Sequence, residues 1–72
     1  MERVAIESSM LRSVGYDRTE RVLEAEFTSG RVYRYLEVPP SVYRALMAAE
    51  SKGSYFGDCI IGCYSYVPVR RR

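Results

Sequence analysis

The fold is decided by residues 21–38, which read RVLEAEFTSGRVYRYLEV. In the first part of this stretch, alternate positions carry apolar side chains: Leu23, Ala25 and Phe27. Such alternation is typical of a half-buried β-strand and predicts one strand over residues 21–28. Gly30 tolerates the positive φ of a tight turn, so a second strand is expected over residues 31–38. The stretch therefore predicts a β-hairpin.

The length of the turn decides which face of the hairpin carries Tyr33 and Tyr35. A two-residue loop places both tyrosines on the face of Glu24 and Glu26, where they would be exposed, and puts Arg34 among the apolar residues. A three-residue loop pairs Ala25 with Tyr33 and Leu23 with Tyr35. Arg34 then points outward, opposite Glu24. We favour the three-residue loop because a charge in the middle of a core costs more than an exposed Val32 or Leu36.

The segments around the hairpin predict one more strand and a helix. Residues 10–16 form the strand, with Met10, Arg12, Val14 and Tyr16 expected on one side and Leu11, Ser13 and Gly15 on the other. Pro39 and Pro40 end the hairpin, and Pro40 suits the first turn of a helix. That helix has an apolar stripe at Val42, Leu46 and Ala49, and Gly53 is expected to cap it, with Lys52 in its last turn.

A short second helical turn is expected at residues 54–56, and residues 59–69 form a last strand or an extended segment. The fold class is α+β: a small antiparallel β-meander sheet packed against one main helix, a short second helix and this C-terminal segment. At 72 residues the chain is predicted to be one domain, residues 1–72, with a basic tail at residues 68–72.

The formal net charge of +2 comes from the tail. Without Arg70, Arg71 and Arg72, the chain has eight basic and nine acidic side chains and a net charge of −1. Most proteins that bind nucleic acids use a basic patch on the folded domain. The sequence only weakly indicates such a patch here. No signal peptide is recognisable, and the longest uncharged run, residues 59–69, is far shorter than the roughly 20 residues of a membrane span. We expect a cytoplasmic protein with no membrane contact.

Enzyme classes find little support. The chain contains no histidine, no glycine-rich phosphate loop and no nucleophile elbow, so we predict that it is not an enzyme. Ser8 and Ser9 are read as a turn or binding loop. Cys59 and Cys63 are too few for a closed zinc site within one chain, so no metal and no cofactor are expected. We interpret both cysteines as small buried side chains, while oxidation or a metal site shared between chains stays open.

Several short motifs occur in a fixed order along the chain. They are Ser8-Ser9, Val14-Gly15-Tyr16-Asp17, Leu23, Phe27, Gly30, Tyr33-x-Tyr35, Val38-Pro39, Val42-Tyr43, Leu46, Ala49 and Ser51-x-Gly53-x-Tyr55-Phe56. In this order they resemble the KTSC domain, a family named after the C-terminal extension of some lysyl-tRNA synthetases that also occurs as short stand-alone proteins. The resemblance spans residues 8–64 and implies an α+β fold and a suggested role in RNA binding. Gly57, the two cysteines and the arginine tail depart from it.

Two functional hypotheses follow. The first is a non-catalytic RNA- or tRNA-binding module in which arginines contact phosphates and tyrosines stack on bases. Its candidate binding residues are Arg31, Tyr33, Arg34, Tyr35, Lys52, Tyr55, Arg70, Arg71 and Arg72, with Arg34 favoured. The second is a small homo-oligomer that pairs through strand edges or an exposed apolar strip of Val22, Val32 and Leu36. It would bind a partner protein, or a small anionic ligand such as a nucleotide at a subunit interface.

Overall fold

The computed structural model describes residues 2–69. Its strands are β1 (Arg3–Ala5), β2 (Leu11–Asp17), β3 (Val22–Phe27), β4 (Val32–Tyr35) and β5 (Tyr66–Pro68), and its helices are α1 (Pro40–Ala48) and α2 (Lys52–Cys59). The strands form one antiparallel sheet in the order β1-β2-β3-β4-β5, which is a simple meander. Both helices are inserted between β4 and β5. The α+β class predicted from the sequence is confirmed, although α2 is nearly as long as α1. No helix among residues 2–69 is long and apolar enough to cross a membrane.

The β3–β4 hairpin adopts the three-residue register. Ala25 pairs with Tyr33 and Glu24 pairs with Arg34. The loop closes where the amide of Phe27 donates to the carbonyl of Arg31, at 2.8 Å, with Gly30 at a φ of 96° between them. A side chain at that φ would be strained, which explains the glycine. The three-residue register, predicted because burying Arg34 is costly, is therefore confirmed.

Strand β2 departs from the alternation expected along it. A β-bulge lies between Leu11 and Ser13, because Leu11 pairs with Phe27 while Ser13 pairs with the adjacent Glu26. The extra residue moves Leu11 to the same face as Val14, and both side chains are fully buried. The prediction that Leu11 and Val14 lie on opposite faces was therefore wrong.

The helical region consists of two helices, and the first one ends earlier than the sequence suggested. Helix α1 ends at Ala48, and a second helix begins after Ser51, whose hydroxyl accepts a hydrogen bond from the amide of Ser54 at 3.4 Å. Ser51 is thus the N-cap of α2, and Gly53 lies inside this helix rather than capping the first one. Lys52 is the first residue of α2, not part of the last turn of α1. Its Nζ nevertheless donates to the carbonyl of Ala49, at 3.0 Å.

The core lies between the helices and one face of the sheet. Its buried members are Leu11, Val14, Leu23, Ala25, Tyr35, Val38, Leu46, Phe56 and Ile60. Phe56 of α2 is completely buried. The strand β1 was not anticipated. All three of its residues are exposed, so it carries no alternating apolar pattern that would reveal it.

Gly53 is required where α2 passes the loop before β2. A Cβ added at Gly53 would lie 2.8 Å from Oγ of Ser8, and this Oγ already accepts hydrogen bonds from the amides of Met10, at 3.1 Å, and Leu11, at 3.3 Å. Ser8 therefore belongs to a local turn that packs directly on α2.

We expect Gly53→Ala to lower the free energy of unfolding by about 1 kcal/mol, although alanine is normally the better helix residue by about that amount. The reason is that Ser8 must give up its hydrogen bonds to make room. In a Ser8→Ala background the same substitution should be neutral or stabilising. Urea unfolding of the four proteins in this double-mutant cycle measures the coupling. Equal effects of Gly53→Ala in both backgrounds would contradict the proposed contact.

Candidate nucleic-acid interface

Five aromatic rings run from the core to the surface at the β4–β5 side of the sheet. They belong to Phe27, Tyr33, Tyr35, Phe56 and Tyr66, and we call them the aromatic cluster. Phe56 forms its base, with edge-to-face contacts at centroid distances of 5.7 Å to Phe27 and 5.3 Å to Tyr35. Such contacts are favourable beyond the area they bury. The cluster is therefore anchored in the hydrophobic core.

The outer end of the cluster is Tyr66 of β5, which is 56% exposed. It lies opposite Tyr35 in the β4–β5 ladder. Its ring meets Tyr33 edge-to-face at 5.1 Å and lies at 5.5 Å from Tyr35, tilted by 40°. Tyr33 is half-buried and Tyr35 is only 4% exposed. One aromatic ring, held by two others, is thus presented to solvent at a sheet edge.

The phenol of Tyr35 lies in the buried part of the cluster. Burial raises the pKa of this phenol above its ordinary value of 10.0, and the nearby Tyr66 and Tyr33 raise it further. Tyr35 therefore keeps its proton to a higher pH than an exposed tyrosine does. Tyr35 is a core side chain, whereas Tyr33 is half-buried and lies closer to the surface.

Two open cavities flank Tyr33 at the end of the hairpin, and Arg31 lines both. One, of about 350 Å³, is lined by Gly30, Arg31, Val32, Tyr33, Pro68 and Val69. The other, of about 390 Å³, is lined by Ser9, Met10, Phe27, Thr28, Ser29, Arg31 and Tyr33. A cation and an aromatic ring are therefore placed side by side at this end of the sheet.

The last described residue, Val69, lies at the same end of the sheet. The amide of Val69 donates to the carbonyl of Val32 at 2.8 Å, so the last described residue lies beside the hairpin end. Arg70, Arg71 and Arg72 follow Val69 in the sequence and lie outside the described residues.

Arg34 lies on the opposite face of the sheet. Its Nε donates to Oε1 of Glu24 at 2.8 Å, and Nε of Arg3 lies 3.5 Å from Oε2 of the same carboxylate. The Glu24 side chain is only 10% exposed, whereas that of Arg34 is 49% exposed. The paired charges offset the cost of burying Glu24. Arg34 therefore has a structural partner and does not share a surface with Tyr33.

Lys52 and Tyr55 are also separate from the cavities around Tyr33. Lys52 lines a different cavity, of about 380 Å³, between the start of α2 and the loop of Ser8 and Ser9. Tyr55 is half-buried on α2. Of the predicted binding residues within the described chain, the structure thus brings together Arg31, Tyr33 and Tyr35. It adds Tyr66, which the sequence reasoning missed because its role depends on the pairing of β5 with β4.

Two surface predictions need correction. Val32 is buried, so Val22, Val32 and Leu36 do not form a continuous exposed strip; the other two side chains are partly buried. The cysteines at positions 59 and 63, interpreted as buried, are both exposed and unbridged. Within residues 2–69 no cluster of three or more histidine, cysteine, aspartate or glutamate side chains is arranged to hold a metal ion.

The fold and the aromatic cluster define a small α+β domain with an exposed aromatic side chain at one sheet edge. The KTSC domain model matches residues 7–66, and the chain belongs to this family. In a crystal structure of a KTSC domain protein from Yersinia pestis, 96% of this chain superimposes on 97% of that chain, with a TM-score of 0.93 and 35% sequence identity. The resemblance identified from the sequence motifs is confirmed.

Two sequence relatives differ greatly in length. An uncharacterised protein of Stutzerimonas stutzeri is 55% identical over 58 residues, which cover 81% of this chain and 82% of that protein. A lysine–tRNA ligase of Nostoc punctiforme is 40% identical over 60 residues, which cover 83% of this chain but only 11% of the ligase. The chain thus corresponds to a small region of the ligase.

Proposed function

We propose that the protein is a non-catalytic module that binds RNA through the exposed end of the aromatic cluster. The observation that carries this proposal is the Tyr66 ring, exposed to solvent yet held in orientation by contacts with Tyr33 and Tyr35. A base stacked on an aromatic side chain contributes about 1–3 kcal/mol and needs no particular sequence. A neutral ring fixed on a sheet edge suits this kind of contact.

The distribution of charge favours one end of the molecule for the phosphate contacts. Without the last three arginines the chain has a net charge of −1, so general electrostatic attraction does not provide binding. Arg31 lies next to Tyr33, and the chain enters its arginine tail from Val69 at the same end. Phosphates bound there would position a strand whose bases reach Tyr33 and Tyr66.

The similarity to a region of lysine–tRNA ligases favours RNA as the nucleic acid, since an enzyme of that name acts on tRNA. RNA binding would place the protein in the cytoplasm. No specific feature of residues 2–69 favours catalysis over binding. The burial of Val32 removes the apolar strip, one of the two contacts through which the alternative oligomer was expected to pair.

Fluorescence anisotropy tests the proposal. A labelled single-stranded RNA of about a dozen nucleotides is titrated with the protein at several salt concentrations. Each arginine that contacts a phosphate adds about 0.7 to the slope of log affinity against log salt on single strands. Truncation after Val69 should therefore weaken binding and flatten the slope by up to about 2.

A charge-matched control removes three arginines from the other end of the strands. Arg18, Arg21 and Arg44 are exposed and lie near Tyr16, where the β2–β3 turn is farthest from the β3–β4 loop. Replacing all three by glutamine should leave most of the affinity and the slope intact. Absent RNA binding, or binding insensitive to salt, would refute the proposal, and an equal loss in truncation and control would refute the assigned location.

A further inference from the structure

Cys59 and Cys63 are exposed, which is unusual because cysteine is among the residue types most often buried. The side chain between them, Ile61, is also exposed, to 44%, and is one of the few large apolar side chains on the described surface. Two exposed thiols and an exposed isoleucine therefore fall within one five-residue segment, residues 59–63, which we call the thiol turn. Neither the fold nor the aromatic cluster accounts for its composition.

The backbone of the thiol turn is fixed to the core. Cys59 is the last residue of α2, and the amides of Ile60 and Ile61 both donate to the carbonyl of Phe56 at 3.0 Å. The amide of Cys63 donates to the carbonyl of Ile60 at 3.1 Å, and Ile60 itself is completely buried. The two cysteines thus belong to the end of α2 and a short hydrogen-bonded turn after it, rather than to a free loop.

Cysteine pairs separated by two to four residues are the usual halves of tetrahedral zinc sites, and three residues separate Cys59 from Cys63. A closed structural site needs four ligands. The chain has no histidine and no further cysteine, and the described residues hold no cluster of three potential ligands. The missing two thiolates are therefore available only from another molecule, and a second copy of this chain supplies the same pair.

We propose that Cys59 and Cys63 form half of a Cys₄ zinc site that is completed by the same two residues of a second copy. On binding, four thiols release four protons to solvent and four Zn–S bonds form, which leaves the zinc and thiolate group with a net charge of −2. No electron transfer is involved. Ile61 of each copy lies beside the metal and contributes apolar contact across the two-fold axis.

Light scattering and metal analysis on the reduced protein test the proposal, with zinc chloride as the only added metal. With TCEP present, we expect the mass to double as zinc is added, one zinc retained per two chains after gel filtration, and reversal by EDTA. Cobalt in place of zinc should give the visible absorption of a tetrahedral thiolate site. Cys59→Ser and Cys63→Ser should each abolish zinc retention and dimerisation, while the exposed control Ser65→Ala should behave as the parent protein.

The competing outcomes are distinct. One zinc per chain without a change in mass, dimers that form without zinc, or zinc retention by either serine variant would each overturn the proposal. So would the absence of retained zinc in the reduced protein, including the case in which air oxidation joins Cys59 to Cys63 within one chain. Because both side chains are exposed, the serine variants are expected to fold, and far-ultraviolet circular dichroism checks this.

Discussion

Phe56→Ala is expected to leave most of the protein unfolded in buffer at 25 °C. Truncating a fully buried phenylalanine to alanine costs about 3–5 kcal/mol, from lost burial and from the cavity left behind. A core in a chain this short rarely supplies more than about 3–5 kcal/mol of net stability. Phe56 is completely buried and supports Phe27 and Tyr35 by ring contacts from its position in α2. Without this ring, α2 loses its aromatic contacts with Phe27 and Tyr35.

Circular dichroism and urea unfolding measure this loss. Phe56→Leu keeps most of the buried volume, so it should remain folded with a smaller loss of stability. Ile61→Ala removes an exposed apolar side chain five residues further on and should change the unfolding free energy by much less. A folded Phe56→Ala variant with a cooperative transition near that of the parent would contradict the central position assigned to this ring.

The hairpin was predictable because a single charge decided between two registers. Placing Arg34 in the core is costly in one register and avoided in the other, and the structure shows it paired with Glu24 on the outer face. The β2 bulge was not predicted, although a charge was at stake there as well. Without the bulge Arg12 would share the face of Val14 and Tyr16, whereas in the structure Arg12 is exposed and Leu11 takes the buried position.

The boundary between the two helices shows a competition between local signals. Gly53 follows a helical pattern and resembles a cap, but Ser51 supplies an N-cap for a new helix, and the close approach of Ser8 explains the glycine. A glycine in sequence does not distinguish a positive φ from a tight contact. The contact partner is more than forty residues away in the chain, so only the tertiary structure reveals it.

The candidate site was only partly predictable for a related reason. Tyr33, Tyr35 and Arg31 belong to one hairpin, so their proximity follows from local sequence. Tyr66 joins them only through the pairing of β5 with β4, and both helices separate these two strands in the sequence. Arg34, favoured from the sequence, was correctly placed opposite Glu24, but the ion pair with that buried carboxylate gives it a structural role that charge pattern alone does not show.

Tyr66→Ala should weaken RNA binding by about 5- to 150-fold, the equivalent of the 1–3 kcal/mol of one stacked base. Tyr66 is exposed, so its truncation should cost little stability, and the underlying Tyr33 and Tyr35 remain in place. Tyr66→Phe keeps the ring and should retain most of the affinity. Anisotropy titrations at one fixed salt concentration provide the comparison, because affinities at different salt concentrations are not comparable.

Val4→Ala is a suitable control, because Val4 is similarly exposed but lies on β1 at the opposite edge of the sheet. It should bind RNA as the parent does. The salt slope separates the two parts of the proposed interface: loss of a stacking ring lowers affinity at every salt concentration and leaves the slope unchanged, whereas loss of the arginine tail flattens it. If Tyr66→Ala and Val4→Ala bind equally well, bases do not stack on the aromatic cluster, and any RNA binding depends on the arginines alone.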